Sequence, residues 1–299
     1  MVFAAGGVPV SDQYDQLSLS FDAHHKALWC TWHPHQRPCF NRDLLAELRA
    51  FQEDLVEINA LALDQGEPLP IRYTILASGT PGVFNLGGDL ELFARMIRQQ
   101  NRDQLMDYAT ACIDVLYPNA VSFNQPMTTI SLVQGEALAG GFEAAIASNV
   151  VIAERSSRFG LPEVLFNLIP GMGAYTFLIR KVSPDMAERM ILSGQVYTAE
   201  QMHELGLVDV VVEDGQGEVA VDAYLANHHR HANTYATLRQ FRQTVNPVTY
   251  KELIDITTIW VDAALKLSER DLRMIDRLVR AQNRSFMDQD PPQAMVGQA

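Results

Sequence analysis

The sequence predicts an α/β core followed by a helical C-terminal part. Apolar runs at 71–78, 127–135 and 149–154 have the length of buried strands. Segments with helical periodicity alternate with these runs, as is typical of an α/β core. From residue 184 onward helical segments dominate, interrupted by a short strand at 207–212. The chain of 299 residues is long enough to bury a large core.

Helices and strands of the first half follow from local patterns. Residues 17–33 read as two strands joined by a polar turn. A helix is predicted over 41–63, with Asn41 as its N-cap and an apolar stripe on one face. Another helix is predicted over 102–117, and Pro118 is expected to end it because proline cannot continue the helical hydrogen bonds.

The remaining segments are loops and C-terminal helices. Residues 79–90 form a glycine-rich loop that leads into a helix, and a second glycine-rich segment, 135–147, becomes helical towards its end. Residues 159–173 are loop-like and open onto a helix. Further helices are predicted at 218–230 and, as one or two helices, over 248–286.

Composition excludes several classes of protein. A hydrophobic content of 47% with 20% charged residues excludes a disordered or fibrous chain. The net charge of -13 argues against a nucleic-acid binder. No run of about 20 apolar residues could cross a membrane, and residues 1–10 lack the features of a signal peptide. Cys30, Cys39 and Cys112 have no metal or redox spacing. We therefore expect a soluble, cytoplasmic protein with reduced thiols.

Two glycine-rich turns could form an anion-stabilising site. The first turn is residues 86–89 and the second turn is residues 139–143. Each precedes a predicted helix, whose first N–H groups lack partners within the helix. A carbonyl oxygen placed between the turns could receive two N–H bonds, which would form an oxyanion hole. The alternative is that each turn only closes a tight strand-to-helix connection. Neither turn matches a dinucleotide or phosphate-binding loop, so a nucleotide cofactor is not expected.

Two acidic residues near these turns have apolar neighbours in the sequence. Glu143 lies in GGFEAAIA and Glu163 in GLPEVLF. Burial raises the pKa of a carboxyl group, and a second carboxylate close by raises it further. Such a pair is suited to general acid–base catalysis near neutral pH. The alternative is that both acids start helices or loops and face water.

Four linked segments resemble the crotonase (enoyl-CoA hydratase/isomerase) superfamily in order and spacing: FNLGGDL, VQGEALAGGFEAAIASNVVIAE, FGLPEVLFNLIPGMGAYTFL and SGQVYTAEQMHELGLVDVVV. The resemblance implies a crotonase fold, a spiral of ββα units that forms two near-perpendicular sheets with a helical C-terminal region. It implies a core over 1–215 that holds an acyl-thioester site. Residues 216–299 would serve trimerisation and cover the acyl pocket, in a homotrimer or hexamer without a resident cofactor.

The same resemblance implies roles for four residues. The N–H groups of Gly88 and Gly140 correspond to the oxyanion hole, and Glu143 and Glu163 occupy the positions of the acid–base glutamates of the hydratases. Both glutamates together point to the addition or removal of water across Cα–Cβ of an acyl thioester. The sequence departs from the family pattern at two positions, with Glu136 in place of a small polar residue and Ala139 in place of glycine.

A narrower resemblance, to the diffusible signal factor synthases, extends into the C-terminal segments ITTIWVDAALKL and DRLVRAQNR. It implies dehydration of 3-hydroxyacyl-acyl carrier protein to a cis-2-enoyl thioester, then hydrolysis to a free fatty acid used in quorum sensing. Glu163 would transfer the α-proton and Glu143 would protonate the departing hydroxyl, or the reverse. Leu138 and Trp260 would line the acyl pocket, or only pack in the core. The alternatives are an enoyl-CoA hydratase/isomerase of fatty-acid degradation and a regulatory binding partner of a sensor protein.

Five arginines are spaced by 3, 4, 3 and 4 residues, which places them on one face of a helix: Arg270, Arg273, Arg277, Arg280 and Arg284. They form either a solvated face or a docking surface for acidic acyl carrier protein or for CoA phosphates, centred on Arg273 and Arg277. The histidines at 33–35 and 228–231 lack companion ligands at metal-binding spacing, so no metal site is expected.

Overall fold

The structure is a computed structural model that describes residues 14–287, without the side chains of 284–287. The expected absence of a signal peptide at residues 1–10 and the side chain of Arg284 therefore lie outside the described residues. The strands are β1 Leu17–Asp22, β2 Ala27–Trp32, β3 Tyr73–Ser78, β4 Val83–Asn85, β5 Thr128–Val133, β6 Glu136–Leu138, β7 Val150–Glu154, β8 Arg158–Gly160, β9 Val196–Thr198 and β10 Val210–Val212.

The helices follow the strands in a regular alternation through the first two thirds of the chain. They are α1 Arg42–Asp64, α2 Leu90–Arg98, α3 Arg102–Ala120, α4 Gly140–Ala147, α5 Ala174–Leu178, α6 Pro184–Ser193, α7 Ala199–Glu204, α8 Gly217–Arg230, α9 Ala232–Val245, α10 Tyr250–Ala264 and α11 Glu269–Met287. Short 3₁₀ helices cover Ser122–Asn124 and Pro162–Phe166.

Two sheets organise these elements. The larger sheet has the order β1-β2-β3-β5-β7-β10, in which only β1 and β2 are antiparallel neighbours. The smaller sheet has the order β4-β6-β8-β9, with β8 and β9 antiparallel. β3, β5 and β7 are almost wholly buried, as expected for parallel strands that are covered on both faces. The predicted α/β core is confirmed.

Local signals fixed the start of α1. The Asn41 side chain accepts the N–H of Leu44 at 2.8 Å, which satisfies one of the free donors at the helix N-terminus. Leu44, Leu48, Phe51 and Leu55 then face the core at helical spacing. The predicted N-cap and apolar stripe of this helix are thereby confirmed.

Pro118 does not end α3, so that prediction was wrong. The helix continues to Ala120 with the proline in its last turn. Proline removes the N–H that would bond to the carbonyl oxygen of Asp114, four residues earlier. The guanidinium of Arg49 lies 3.4 Å from that oxygen and donates to it instead. A contact from α1 thus supplies the donor that the proline lacks.

Two short strands lie in segments that the sequence predicts to be loops. β4 lies within 79–90, and β8 lies at the start of 159–173. These strands have three residues each, which is too few to show a period of two. α9 was also not predicted, and none of its side chains is buried in the chain.

The helical C-terminal region packs against the core. α10 contacts α3, and α11 contacts α2 and the 3₁₀ helix at 162–166. α11 thereby contacts α2, the helix that follows the first glycine turn. None of the helices within residues 14–287 is long and apolar enough to span a bilayer.

Candidate active site

The first turn follows β4, which ends at Asn85. Gly87 has φ +93°, a backbone conformation that favours glycine. A Cβ atom on Gly87 would lie 2.7 Å from the Cβ of Ala139 and 2.8 Å from the backbone nitrogen of Gly140. The absence of a side chain therefore lets the first turn approach the second.

The second turn follows β6 and opens directly into α4. A Cβ atom on Gly141 would overlap the carbonyl oxygen of Asn85, so glycine is required for the close approach of α4 to β4. Ala139, the residue before the helix, has φ 51° and ψ -129°. Such a conformation strains any residue with a Cβ atom, which explains the expectation of glycine at this position.

The structure brings the two predicted oxyanion donors to one cavity. Gly88 and Gly140 both line it, and no acceptor among the described residues takes the N–H of either one. Gly140 is the first residue of α4, where the N–H has no partner within the helix. This arrangement fits an oxyanion hole, and the assignment stays a prediction.

Glu143 lies in the first turn of α4 and is 1% exposed. Its Oε1 accepts the backbone N–H of Met172 at 2.7 Å and that of Ala174 at 2.8 Å. Burial raises the pKa of Glu143 to about 7, although the two N–H bonds favour the ionised form and oppose the shift. This carboxyl group is held in one orientation and can gain or lose a proton near neutral pH.

Glu163 lies in the 3₁₀ helix at 162–166 and is 7% exposed. Its Oε2 is buried and has no hydrogen-bond partner among the described residues. Burial raises the pKa of Glu163 well above its ordinary value, and the charge of Glu143 raises it further. Both predicted acids are therefore buried in one cavity, and the alternative that they face water is excluded.

The cavity has a volume of about 320 Å³ and its lining is mostly apolar. Leu138 and Trp260 both belong to that lining. The indole of Trp260 stacks on Phe93, with ring centroids 5.2 Å apart, and donates from Nε1 to the carbonyl oxygen of Ile169 at 2.8 Å. The structure thus places both residues in the cavity wall, and their role in acyl binding stays a prediction.

Several site features carried no signal in the sequence. The N–H groups of Met172 and Ala174 that hold Glu143 lie just before and at the start of α5, about 30 residues away, and backbone donors leave no signal in a residue pattern. Tyr108, which also lines the cavity, lies on α3, and the helical pattern of this segment did not single it out. Glu136 brings a third carboxylate to the lining from an exposed position.

The structure describes the side chains of four of the five arginines in the predicted basic stripe, and all four are exposed. α11 presents Arg270, Arg273, Arg277 and Arg280 to solvent, and none of the four forms an ion pair with another described residue. The opposite face of α11 contributes Leu278 to the cavity lining. The stripe therefore runs along the solvent-exposed side of a helix whose other side lines the cavity.

Histidines of the segments 33–35 and 228–231 form hydrogen bonds within the fold. His33 shares a hydrogen bond with Ser18 at 2.9 Å. His228 is buried against Tyr73 at 3.0 Å, and burial lowers its pKa to about 4, so the ring is neutral at physiological pH. A different group has ligand atoms within 4.8 Å of one another, away from the cavity: Asp22, His25 and Asp222.

Comparison with known proteins relates the chain to hydratases. It is 33% identical over 181 residues to the 2,3-dehydroadipyl-CoA hydratase of Escherichia coli (strain K12), covering 60% of this chain and 62% of that protein. It is 29% identical over 168 residues to the mitochondrial methylglutaconyl-CoA hydratase of Mus musculus, covering 56% and 51%. The chain thus matches between half and two thirds of the length of these relatives.

Solved structures share the fold. The enoyl-CoA hydratase from Bacillus halodurans superimposes with a TM-score of 0.74 at 20% identity, covering 88% of this chain and 100% of that one. The enoyl-CoA hydratase from Bacillus anthracis gives 0.67 at 20% identity, covering 89% and 97%. The expected crotonase fold, with two sheets and a helical C-terminal region, is confirmed.

The sequence profile of the enoyl-CoA hydratase/isomerase family matches residues 48–269. That match includes both glycine turns, both buried glutamates and the helix that carries Trp260. Because the profile covers well over half of the chain, this protein belongs to the enoyl-CoA hydratase/isomerase family.

Proposed function

We propose that this protein adds water to, or removes water from, the Cα–Cβ bond of an acyl thioester. The observation that carries the proposal is the convergence of Glu143 and Glu163 with the free N–H groups of Gly88 and Gly140 on one cavity. Binding alone would not require two buried carboxyl groups, because their burial costs free energy, and carboxyl groups with raised pKa values cluster at catalytic sites.

In the hydration direction, the thioester oxygen receives the N–H groups of Gly88 and Gly140. Glu143, ionised, takes a proton from water as the water oxygen bonds to Cβ. Negative charge moves onto the thioester oxygen as an enolate, where the two donors stabilise it. Glu163, protonated, then delivers its proton to Cα. The pair begins and ends with one proton: Glu163 holds it before the reaction, and Glu143 holds one taken from water afterwards.

In the dehydration direction the roles reverse. Glu163 must be ionised to remove the α-proton, and Glu143 must be protonated to release the hydroxyl group as water. Burial raises the pKa of both carboxyl groups, so the pair can hold a proton near neutral pH. A close pair titrates as a unit, so both directions depend on the state with one shared proton.

The test is a turnover assay of the purified protein with trans-2-enoyl-CoA and with 3-hydroxyacyl-CoA thioesters of several chain lengths. Loss of enoyl absorbance with formation of the 3-hydroxy thioester, in equilibrium from either side, is the expected result. A protein that binds these thioesters but converts neither of them would contradict the proposed activity and support a purely binding role, such as partnership with a sensor protein.

A second candidate is the diffusible signal factor synthase reaction, dehydration of a 3-hydroxyacyl thioester on acyl carrier protein followed by hydrolysis to a free cis-2-enoic acid. The observation that favours it is the unpaired arginine stripe on α11, in a chain whose net charge is -13. An acidic carrier protein would be attracted to this face and repelled elsewhere. The apolar side chains of Trp260, Leu278 and Ala281 in the cavity suit an aliphatic tail.

For this second reaction the same groups would serve twice. After dehydration, an ionised glutamate would take a proton from water, and the water oxygen would attack the thioester carbonyl. The N–H groups of Gly88 and Gly140 would hold the tetrahedral oxyanion until the carrier thiol leaves with a proton. Neither step needs a group beyond those already in the cavity.

Mass spectrometry separates the two candidates. The protein is incubated with 3-hydroxydodecanoyl-acyl carrier protein and, in parallel, with the matching CoA thioester. Release of free cis-2-dodecenoic acid from the carrier would establish the signal synthase. Formation of trans-2-enoyl-CoA without free acid would leave only the hydratase.

The docking role of the stripe has its own test. Reversal of Arg273 and Arg277 to Glu should raise the KM for carrier-linked substrate about tenfold and leave the KM for a short pantetheine thioester unchanged. The control reverses Arg189 and Arg230, which are exposed, lie outside the cavity lining and change the net charge equally. Equal effects of the two double variants would show that only net charge matters.

A further inference from the structure

We propose that Tyr108 is a positioning residue that aims the N–H of Gly88 at the thioester oxygen. This inference rests on the proposed function, because it requires that N–H to act as an oxyanion donor. Tyr108 lies on α3, is buried, and belongs to the cavity lining. The argument depends on how each peptide unit of the first turn is held.

The peptide unit between Gly87 and Gly88 contains the carbonyl of Gly87 and the N–H of Gly88. A trans peptide is planar, and its C=O and N–H point in opposite directions. The backbone N–H of Phe40 donates to the carbonyl oxygen of Gly87 at 2.7 Å. The Gly88 N–H is therefore directed away from Phe40, and Gly88 lines the cavity.

The next peptide unit is held by Tyr108. The N–H of Asp89 donates to the Tyr108 hydroxyl oxygen at 2.7 Å, and the hydroxyl donates to the carbonyl oxygen of Phe40 at 2.7 Å. Phe40 thus binds the turn twice, once directly through its N–H and once through the tyrosine. Gly88 lies between two peptide units that are both fixed to one residue of the segment before α1.

This arrangement leaves the hydroxyl no proton for the substrate. A phenol has a single O–H, and the Phe40 carbonyl oxygen accepts it. Burial raises the pKa of Tyr108 well above its ordinary value, so the hydroxyl does not ionise near neutral pH. Tyr108 can therefore influence the reaction only through the backbone that it orients.

Packing also couples the hydroxyl to Gly88 itself. A Cβ atom on Gly88 would lie 3.1 Å from the Tyr108 hydroxyl oxygen, so the oxygen packs against this residue. Without the hydroxyl, the partly buried Asp89 N–H and the buried Phe40 carbonyl oxygen would both lose this partner. We expect the turn to rotate to recover hydrogen bonds and to carry the Gly88 N–H out of line.

The experiment compares Tyr108→Phe with Tyr73→Phe. The Tyr73 hydroxyl is also buried and hydrogen-bonded, to His228, but Tyr73 does not line this cavity. Steady-state kinetics give kcat and KM for enoyl-CoA. Absorbance of bound 4-dimethylaminocinnamoyl-CoA gives the polarisation of its carbonyl group, since stronger hydrogen bonds to that oxygen shift the band to longer wavelength.

For Tyr108→Phe we expect kcat about tenfold lower, KM within about twofold of the parent, and a smaller shift of the bound chromophore. Removal of an oxyanion donor costs roughly 100- to 1000-fold, and a misaligned donor should cost less. Tyr73→Phe should leave kcat, KM and the chromophore shift unchanged. Rates are normalised to the folded fraction from circular dichroism. If Tyr108→Phe does not fold, 3-fluorotyrosine at position 108, a weaker acceptor of the same shape, should show the same split.

An unchanged kcat and a full chromophore shift in Tyr108→Phe would overturn the positioning role, as would equal losses in Tyr73→Phe. The parent protein distinguishes this failure from failure of the proposed function. If the parent neither turns over enoyl-CoA nor shifts the chromophore, then the proposed function itself is wrong. If the parent does both and Tyr108→Phe matches it, only the inference about Tyr108 is wrong.

Discussion

The two glycine turns offer the same chemical group, a free N–H, but they are held in different ways. The second turn is the start of α4, so the N–H of Gly140 is free because of its place in the helix. The first turn lies outside regular structure and depends on partners from elsewhere, namely Phe40 and Tyr108. One donor is oriented locally and the other by long-range contacts.

The difference extends to the acids. The second turn carries its own carboxyl group, because Glu143 follows Gly140 by three residues on the same helix. The carboxyl group of the first turn, on Asp89, pairs with Arg37 and caps α2, so the second acid of the cavity, Glu163, comes from a separate 3₁₀ helix. A substitution in the second turn should therefore disturb a donor and an acid together. One in the first turn should disturb the donor alone.

The largest expected effect concerns the acids. Glu143→Gln and Glu163→Gln should each lower kcat roughly 1000-fold without loss of fold, because positioned acid–base groups contribute 100- to 10,000-fold. Glu136→Gln, which changes an exposed carboxylate of the same cavity lining, is the matched control and should stay within about twofold. Turnover is measured with enoyl-CoA, and near-normal turnover by either acid variant would contradict its assignment.

The next prediction tests the turns directly. Gly141→Ala should lower both stability, by about 1–3 kcal/mol, and kcat, because its Cβ atom would overlap the carbonyl oxygen of Asn85 and push α4 away. Gly88→Ala meets only the Tyr108 hydroxyl, at 3.1 Å, and should cost less than about 1 kcal/mol. Urea unfolding gives both values. If Gly88→Ala proved the more harmful, the two turns would not differ as described.

The acid pair makes stability depend on pH. Burial raises the pKa of Glu143 to about 7 and also raises that of Glu163 well above its ordinary value. In the unfolded chain both ionise near pH 4.5, so the folded state binds more protons above that pH. The free energy of unfolding therefore falls as the pH rises through 4.5–7.

In Glu163→Gln the free energy of unfolding should fall less as the pH rises, since one buried carboxyl group with a raised pKa has been removed. Between pH 5 and pH 8 the parent Tm should decrease by a few degrees more than the Tm of the variant. Thermal unfolding of both at the two pH values provides the measurement, with Glu136→Gln as the control. Parallel curves for the parent and Glu163→Gln would show that Glu163 is not protonated in the folded state.

The smallest expected effect is at Ala139. Its φ of 51° with ψ -129° is strained for alanine and open to glycine. Ala139→Gly should raise stability by about 1 kcal/mol, while kcat changes less than about twofold. A lower Tm in this variant would mean that the Cβ of Ala139, which packs against Gly87, stabilises the contact between the turns more than the strain destabilises it.

The sequence by itself determined the features that depend on neighbouring residues. Local patterns predicted four features: the long buried strands, the Asn41 cap of α1, the glycines of both turns and the pair of acids in apolar surroundings. Their spacing also supported the resemblance that the family profile confirmed. Local patterns report backbone preference and burial, and these are enough to place such elements.

Tertiary structure alone decided how these parts meet. Glu143 accepts hydrogen bonds from the N–H groups of Met172 and Ala174. The Tyr108 hydroxyl accepts from Asp89 and donates to Phe40, and these four bonds join residues between 19 and 68 positions apart. The three-residue strands that set both turns beside one another show no period of their own. Such contacts depend on the packing of whole elements, and no pattern of neighbouring residues encodes that packing.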